Sequence, residues 1–295
     1  MWQSLAEAGF PIELRPVSSL LPHEETIPGQ LSKLTADIRS DQVQKDPLIV
    51  DRKSGVVLDG MHRLGAFANL GVEKVACYLV DYRSPGIHVK RWARVYGPVR
   101  RRDLSQVVKV LQPTREAPTS ETLKLLDNRR AGFAILFGDE SYVADCRPGP
   151  EVSESIKCFD EMAQTIGWQR TFVPEDDVGD VLKGGTNLAL LAHRLVKQDV
   201  LDAGMTLRPF PCKTSMHTIN PRPIGLNFPI GDLEKATPNS LHEFLVSCSP
   251  TMLPPGSTYS GRRYKEGLLL LNPARAFLRA GRGKHGPNKA SAALV

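Results

Sequence analysis

"VVLDGMHRLGAFANLG" spans residues 56–71. Val56, Val57 and Leu58 read as a short buried strand. Leu64, Phe67, Ala68 and Leu70 recur at helical spacing, and Gly71 is a natural stop for that helix. Asp59-Gly60 is therefore a strand-to-helix turn. Such a turn gathers free backbone N–H groups and the positive end of the helix dipole at one spot. An anion, phosphate above all, is favoured there. His62 and Arg63 add donors and charge. Asp59 reads either as a cap of the helix or as part of a site, and the local sequence leaves both open.

The flanking segments extend this unit. "PIELRPVSSLLPHEET" (11–26) alternates like a strand and then turns, and residues 30–39 place Leu31, Leu34 and Ile38 on one helical face. "PLIVD" (47–51) reads as a buried strand, "DRKSG" as a hairpin-type turn, and "KVACYLVDY" (74–82) as another strand. Residues 11–82 thus form an α/β unit of order β-α-β-β-α-β. Residues 83–118 are less regular. "TLKLLDNRRAGFAILFGDESYVADC" (122–146) predicts a helix and then a hairpin turning at Gly138-Asp139. Residues 153–168 predict an amphipathic helix with Ile156, Phe159, Met162 and Ile166 inward, and 186–204 one or two further helices. Gly184-Gly185-Thr186-Asn187 reads as a helix start, and His193 and His242 sit in helical contexts. The proline-studded 208–230 is irregular. Residues 267–281 hold a short strand or helix before a solvated tail.

The chain of 295 residues allows one large domain or two modest ones, and 41% hydrophobic with 24% charged residues is a soluble globular composition. The net charge of +6 gathers partly in "VKRWARVYGPVRRR" (89–102) and in the tail "RAGRGKHGPNK" (279–289). That balance fits a nucleotide or phosphate ligand and also fits nucleic acid. Cys77, Cys146, Cys158, Cys212 and Cys248 are scattered without any CxxC spacing. They predict reduced thiols in a cytoplasmic protein and no zinc site. No signal peptide and no membrane-length apolar run is expected.

"LLPHEE" (20–25), "PLIVDRKSGVVLDGMHRLGAFANLG" (47–71) and "VDY" (80–82), followed by "FPCKTSMHTINPRP" (210–223), resemble the free L-serine kinases of the ParB/sulfiredoxin-type fold. That branch holds archaeal ADP-dependent enzymes and ATP-using bacterial relatives from siderophore pathways. It carries a His-Glu pair after the first strand, an Asp-Gly-His-His-Arg turn, and a late lysine-threonine segment ending in histidine. The resemblance covers about 11–82 well and about 205–230 moderately. Three positions depart: Met61 replaces a histidine, Cys212 a proline and Met216 an arginine, which puts the identity of the accepted amino acid in question.

The resemblance implies an α/β (α+β) fold. A ParB/sulfiredoxin-like nucleotide-binding domain (1–110) would form a cleft with a mixed α/β substrate-binding domain (111–265), ahead of an extension (266–295). It implies a kinase acting on L-serine or a close hydroxy amino acid, with ATP or ADP as donor and Mg²⁺. Glu24 would take the hydroxyl proton, with Glu25 in reserve and His23 orienting the loop. Backbone groups at Gly60 and Met61, with His62 and Arg63, would hold phosphoryl oxygens, and Asp59 would hold the metal. Lys213, Thr214, Ser215 and His217 offer donors for a free carboxylate, and Trp92 resembles a tryptophan that closes the substrate pocket. A ParB-like DNA-binding regulator is the competing expectation. No membrane partner is expected, and nucleic acid is the weaker partner. Sulfiredoxin-like chemistry would need a reactive cysteine beside the turn, where Met61 stands.

Overall fold

A computed structural model describes residues 11–110, 114–144 and 149–273. Cys146 and the basic tail 279–289 lie outside the described residues.

The strand Val56–Asp59 is fully apolar until its last residue, so it suits the interior of a sheet. It lies in a five-stranded sheet of order Ile12–Pro16, Lys74–Val80, Leu48–Asp51, Val56–Asp59, Leu21–Pro22. Its pairing with Leu48–Asp51 slips by one residue: Ile49 faces Asp59 while Val50 faces Val57. The extra residue, Leu58, forms a bulge at the strand's end, a device that re-aims the next side chain. The helices Pro28–Asp41 and Met61–Asn69 pack against each other beside this sheet. Within Met61–Asn69 the buried face is Leu64, Ala66 and Phe67. Ala68, expected inward, is exposed. Gly71 does end the turn in left-handed backbone, φ 70°.

A second, seven-stranded sheet has the order Gln169–Pro174, Ile87–Gly97, Leu188–Ala192, Phe133–Phe137, Glu140–Ala144, Thr114–Glu116, with Ser215–Ile219 pairing the first half of Ile87–Gly97. The hairpin at Gly138-Asp139 is present. Leu188–Ala192, expected as helix, is a central strand. Its side chains alternate between two cores, Leu188, Leu190 and Ala192 on one face and Ala189 and Leu191 on the other. A strand buried on both faces reads as an unbroken apolar run, which periodicity cannot tell from a buried helix. Helix Lys197–Met205 follows it. Helix Pro150–Ile166 buries Val152, Ile156, Phe159 and Ala163, whereas Ile166 is exposed. His193 follows the strand Leu188–Ala192 and lies outside any helix, while His242 lies in helix Pro238–Ser247.

The expected boundary at residue 110 does not match the sheets. Ile87–Gly97, assigned to the first unit, is an inner strand of the second sheet. It looked irregular because Arg91 and Arg94 interrupt its apolar pattern. Both are buried, at 3% and 2% exposure, against Asp127 and Glu175 and against Asp160. Conversely, Leu226, Phe228, Ile230, Leu233, Phe244 and Leu269 join the core of the first sheet. The chain therefore returns to its beginning after residue 219, and a small sheet of Arg222–Ile224, Leu268–Leu270 and Thr251–Leu253 sits there. Among the described residues no helix is long and apolar enough to cross a membrane.

Candidate active site

Gly60 caps the helix Met61–Asn69 in left-handed backbone, φ 108°. A Cβ there would lie 2.5 Å from Leu48 Cδ2. Only glycine meets both demands. The first helical bond runs from Leu64 N–H to the Gly60 carbonyl at 2.8 Å. The N–H groups of Met61, His62 and Arg63 thus have no carbonyl partner within the helix. These residues and Asp59 line a cavity of about 330 Å³ together with Glu24, Lys213 and Arg222.

Asp59 does not cap the helix. Its Oδ2 accepts from Arg63 Nη2 at 2.6 Å and meets Arg222 Nη1 at 3.2 Å. Burial works against ionisation here, but Arg222, Arg63 and Arg262 outweigh it and hold the carboxyl well below the usual range. Oδ1 has no partner among the described residues. The Arg63 fork is largely committed: Nη1 donates to the carbonyls of Asp46 and Pro47 at 3.0 and 2.7 Å, besides the bond from Nη2 to Asp59. It braces the turn more than it reaches into the cavity. His62, expected to add charge, is held neutral. Burial and then Lys213 lower its pKa, against Glu24. Its Nε2 accepts from Ile27 N–H at 2.9 Å, so the hydrogen sits on Nδ1.

The His23-Glu24 loop is stitched to the late segment. Phe210 N–H donates to the His23 carbonyl and Glu25 N–H to the Phe210 carbonyl, each at 2.9 Å. Glu24 is 6% exposed. Its Oε1 accepts from Ser215 N–H at 2.5 Å and from Ser215 Oγ at 2.6 Å, and its Oε2 accepts from Lys213 N–H at 3.1 Å. A carboxylate has about four acceptor positions, so these bonds leave one on Oε2 untaken, and Glu24 lines the cavity. Glu25 lines the same cavity and pairs with Lys157 at 2.5 Å.

His23 is fully buried and lies on the far side of Ser215. Its Nδ1 donates to the Val57 carbonyl at 2.6 Å, and its Nε2 meets Ser215 Oγ at 2.7 Å. Ser215 has one hydroxyl hydrogen. If it serves Glu24, both ring nitrogens of His23 carry hydrogens. If it serves His23, the carboxyl of Glu24 must hold the proton. Ser215 Oγ thus bridges His23 Nε2 and Glu24 Oε1 in one buried line.

A second cavity, of about 910 Å³, is lined by Trp92, Met216 and His217. His217 is kept neutral: burial, then His23, push its pKa well below the ordinary value. Tyr82 Oη lies 2.8 Å from its Nε2. The two cavities adjoin through Lys213, which lines the first and holds its Nζ 5.1 Å over the Trp92 ring. Lys213 adopts φ 58°, rare for a residue with a side chain. Arg94 stabilises this turn by donating to the Cys212 carbonyl at 2.6 Å.

Of the expected site residues, Glu24, Asp59, Gly60, Met61, His62, Arg63 and Lys213 meet at the first cavity and Trp92 and His217 at the second. Ser215, expected against the substrate, is committed to Glu24 and His23. Thr214 turns away: its Oγ1 donates to the Pro211 carbonyl at 2.6 Å, and it lines a separate cavity. Sequence reasoning missed Arg222, which also pairs with Glu266 at 2.5 Å, and missed Arg94, Tyr82, Arg262 and Tyr264. Tyr82 and Arg222 lay inside quoted motifs without being singled out, and isolated residues such as Arg94, Arg262 and Tyr264 carry no periodic signal. The basic stretch 89–102 is no uniform surface patch, because Arg91 and Arg94 are buried and paired. Burial pushes the Cys77 thiol up to about 12, which leaves it inert towards sulfiredoxin-like chemistry. Among the described residues no three His, Cys, Asp or Glu gather in metal-ligand geometry.

This arrangement of sheets has solved counterparts. A glutamate-to-alanine variant of a free serine kinase in complex with AMP superposes with a TM-score of 0.64 at 19% identity, covering 76% of this chain and 94% of the kinase. The chain has the free serine kinase fold. Its similarity to curated sequences is local. It is 41% identical over 80 residues to an ATP-dependent L-serine kinase of Staphylothermus marinus, 26% of this chain and 32% of the kinase. It is 33% identical over 91 residues to a ParB-like protein of Sulfolobus acidocaldarius, 31% of this chain and 45% of that protein. The match thus spans about a third of the kinase and under half of the ParB-like protein. No protein-family profile matches the chain.

Proposed function

We propose that this chain is a kinase that transfers a phosphoryl group from ATP or ADP to the hydroxyl of free L-serine, or of a close hydroxy amino acid, giving its O-phosphate. One observation carries the reading. Glu24 shares a cavity with the residues that follow Gly60, and Lys213 reaches from that cavity to Trp92 of the next.

The nucleotide phosphates lie on the N–H groups of Met61, His62 and Arg63, with His62 adding a neutral donor and Lys213 a positive charge. The amino acid occupies the second cavity, beside Trp92 and His217. Glu24 accepts the hydroxyl proton on Oε2. The hydroxyl oxygen bonds to the terminal phosphorus, and the bond from phosphorus to the bridging oxygen breaks with its electron pair leaving on the nucleotide. Mg²⁺ fits through the open Oδ1 of Asp59, since magnesium takes one or two carboxylates alongside substrate phosphates. When bound, the ion neutralises phosphate charge. The first sheet is the nucleotide-binding part and the second supplies the amino acid side of the cleft. The unpaired thiols of Cys77, Cys158, Cys212 and Cys248 fit a reducing compartment such as the cytoplasm.

Incubation of the purified chain with Mg²⁺, each nucleotide and a panel of hydroxy amino acids, read by mass spectrometry, tests the reading. A phosphorylated amino acid is expected. Its absence across the panel would sink the proposal. The ParB-like similarity favours a second reading, a nucleotide- or DNA-binding regulator. A salt-dependent DNA shift without any phosphorylated amino acid would establish that one.

A further inference from the structure

Among the described residues, Arg262 and Tyr264 alone line both cavities. They belong to a C-terminal hairpin, Thr258–Tyr259 paired with Arg262–Arg263. Its base is closed by Gly256 N–H to the Tyr264 carbonyl at 2.8 Å and Tyr264 N–H to the Ser257 carbonyl at 3.0 Å. The Arg262 guanidinium carbon stands 4.7 Å from the Tyr264 ring centroid, a cation–π arrangement that holds the fork without neutralising it.

Of the cations around the two cavities, Lys213 and Arg263 also have no ion-pair partner among the described residues, but the nearest arginine forks and Lys265 are paired. Arg222 is paired with Asp59 and Glu266, Arg63 with Asp59, and Lys265 with Asp176 and Asp177. Arg262 has no ion-pair partner among the described residues and is exposed. An unneutralised planar fork at the junction of a donor and an acceptor cavity matches the place where a phosphoryl group passes between them. Two parallel N–H donors suit two phosphoryl oxygens.

We propose that Arg262 is a catalytic residue that grips the phosphoryl group in transit, held in place by Tyr264. This rests on the kinase reading above and adds a residue to it. During transfer the proton goes to Glu24, the new bond forms at the acceptor oxygen, and the old bond breaks towards the nucleotide. Arg262 exchanges no proton or electron, and stabilises charge on the oxygens that stay with phosphorus. Such a contact is stronger in the transition state than in the ground state, so it raises kcat more than it lowers KM.

The test compares the parent chain with Arg262→Ala and Arg262→Lys, measuring kcat and KM for both substrates, ADP affinity and thermal melting. Arg262→Ala is expected to lose about 100-fold or more in kcat, the scale of a lost transition-state donor. Its ADP affinity and melting temperature should stay near the parent's. Guanidinium ion, added far below denaturing concentrations, should restore part of the Arg262→Ala rate and leave the parent unchanged. Arg262→Lys should recover little, because an ammonium lacks the fork. A kcat within about threefold of the parent would overturn the inference, since lost transition-state stabilisation must appear in kcat. So would a loss confined to ADP affinity, or a rate loss that tracks unfolding without guanidinium rescue. A parent that phosphorylates no amino acid overturns the kinase reading itself, and the inference with it.

Discussion

Replacing Ser215 by alanine removes one oxygen and disturbs two buried groups. Glu24 Oε1 loses a donor at 2.6 Å, and His23 Nε2, fully buried, loses its partner at 2.7 Å. The backbone N–H of Ser215 still reaches Glu24, so the carboxylate is not released altogether. A hydrogen bond to a charged group contributes about 1.5–3 kcal/mol, and an orphaned buried donor costs about 1–3 kcal/mol. If the first loss falls wholly on the positioning of the base, kcat drops roughly 10- to 100-fold, at about 1.4 kcal/mol for each tenfold. The second loss falls on folding and lowers the melting temperature by several degrees, at about 2–4 °C per kcal/mol for a chain approaching this size. Steady-state kinetics and a thermal melt read the two separately. KM for the nucleotide should change little, because Ser215 does not line the nucleotide cavity. Ser215→Thr, which keeps the hydroxyl, should recover most of the rate. A Ser215→Ala variant with parental kcat and parental melting temperature would refute the His23–Ser215–Glu24 line as a working unit.

Gly60→Ala should weaken ADP binding and destabilise the chain by at least about 1–3 kcal/mol, because the new Cβ needs both a rare φ and space taken by Leu48. Calorimetric titration with ADP and a thermal melt check it, and an unchanged ADP affinity would contradict the N–H cradle. His217 gives a pH prediction. Its folded pKa is lowered, so the unfolded chain binds the extra proton first as pH falls, and the stability from burying it neutral is present above about 6.5 and lost below. His217→Gln should lose less melting temperature between pH 7 and pH 5 than the parent. Parallel losses in the two proteins would show that His217 is not responsible.

Residues 11–82 were largely legible because their physics is local. Apolar runs of strand length, a helix with a clear stop and an Asp-Gly turn each report on themselves, and they give the β-α-β-β-α-β order apart from the two-residue strands Leu21–Pro22 and Val43–Gln44, too short to leave a pattern. The second sheet was harder to read. Leu188–Ala192 is apolar on every side because it is buried on both faces, which erases the alternation that marks a strand. Ile87–Gly97 carries Arg91 and Arg94 into the interior, and the acids that compensate them lie 36 to 84 residues away in sequence at Asp127, Glu175 and Asp160. The site shows the same division. Glu24 and the Gly60 turn stand in recognisable motifs. Arg222 and Arg262 gain meaning only once the chain has folded back past residue 219 onto its own beginning. Ser215 stood in a motif, yet its hydroxyl is taken by Glu24 and His23 and does not line either cavity.

The central claim is that Glu24 takes the proton from an acceptor hydroxyl while the turn after Gly60 holds the nucleotide. Glu24→Gln separates these tasks, since the amide keeps the shape of the side chain but cannot accept that proton as a carboxylate does. The measurement is ADP affinity beside single-turnover formation of the phosphorylated amino acid, in parent and variant. Near-parental affinity with product formation slowed at least about 100-fold is the predicted result, within the usual 10²–10⁴ range for a lost general base. Product formed at the parental rate by Glu24→Gln would contradict it.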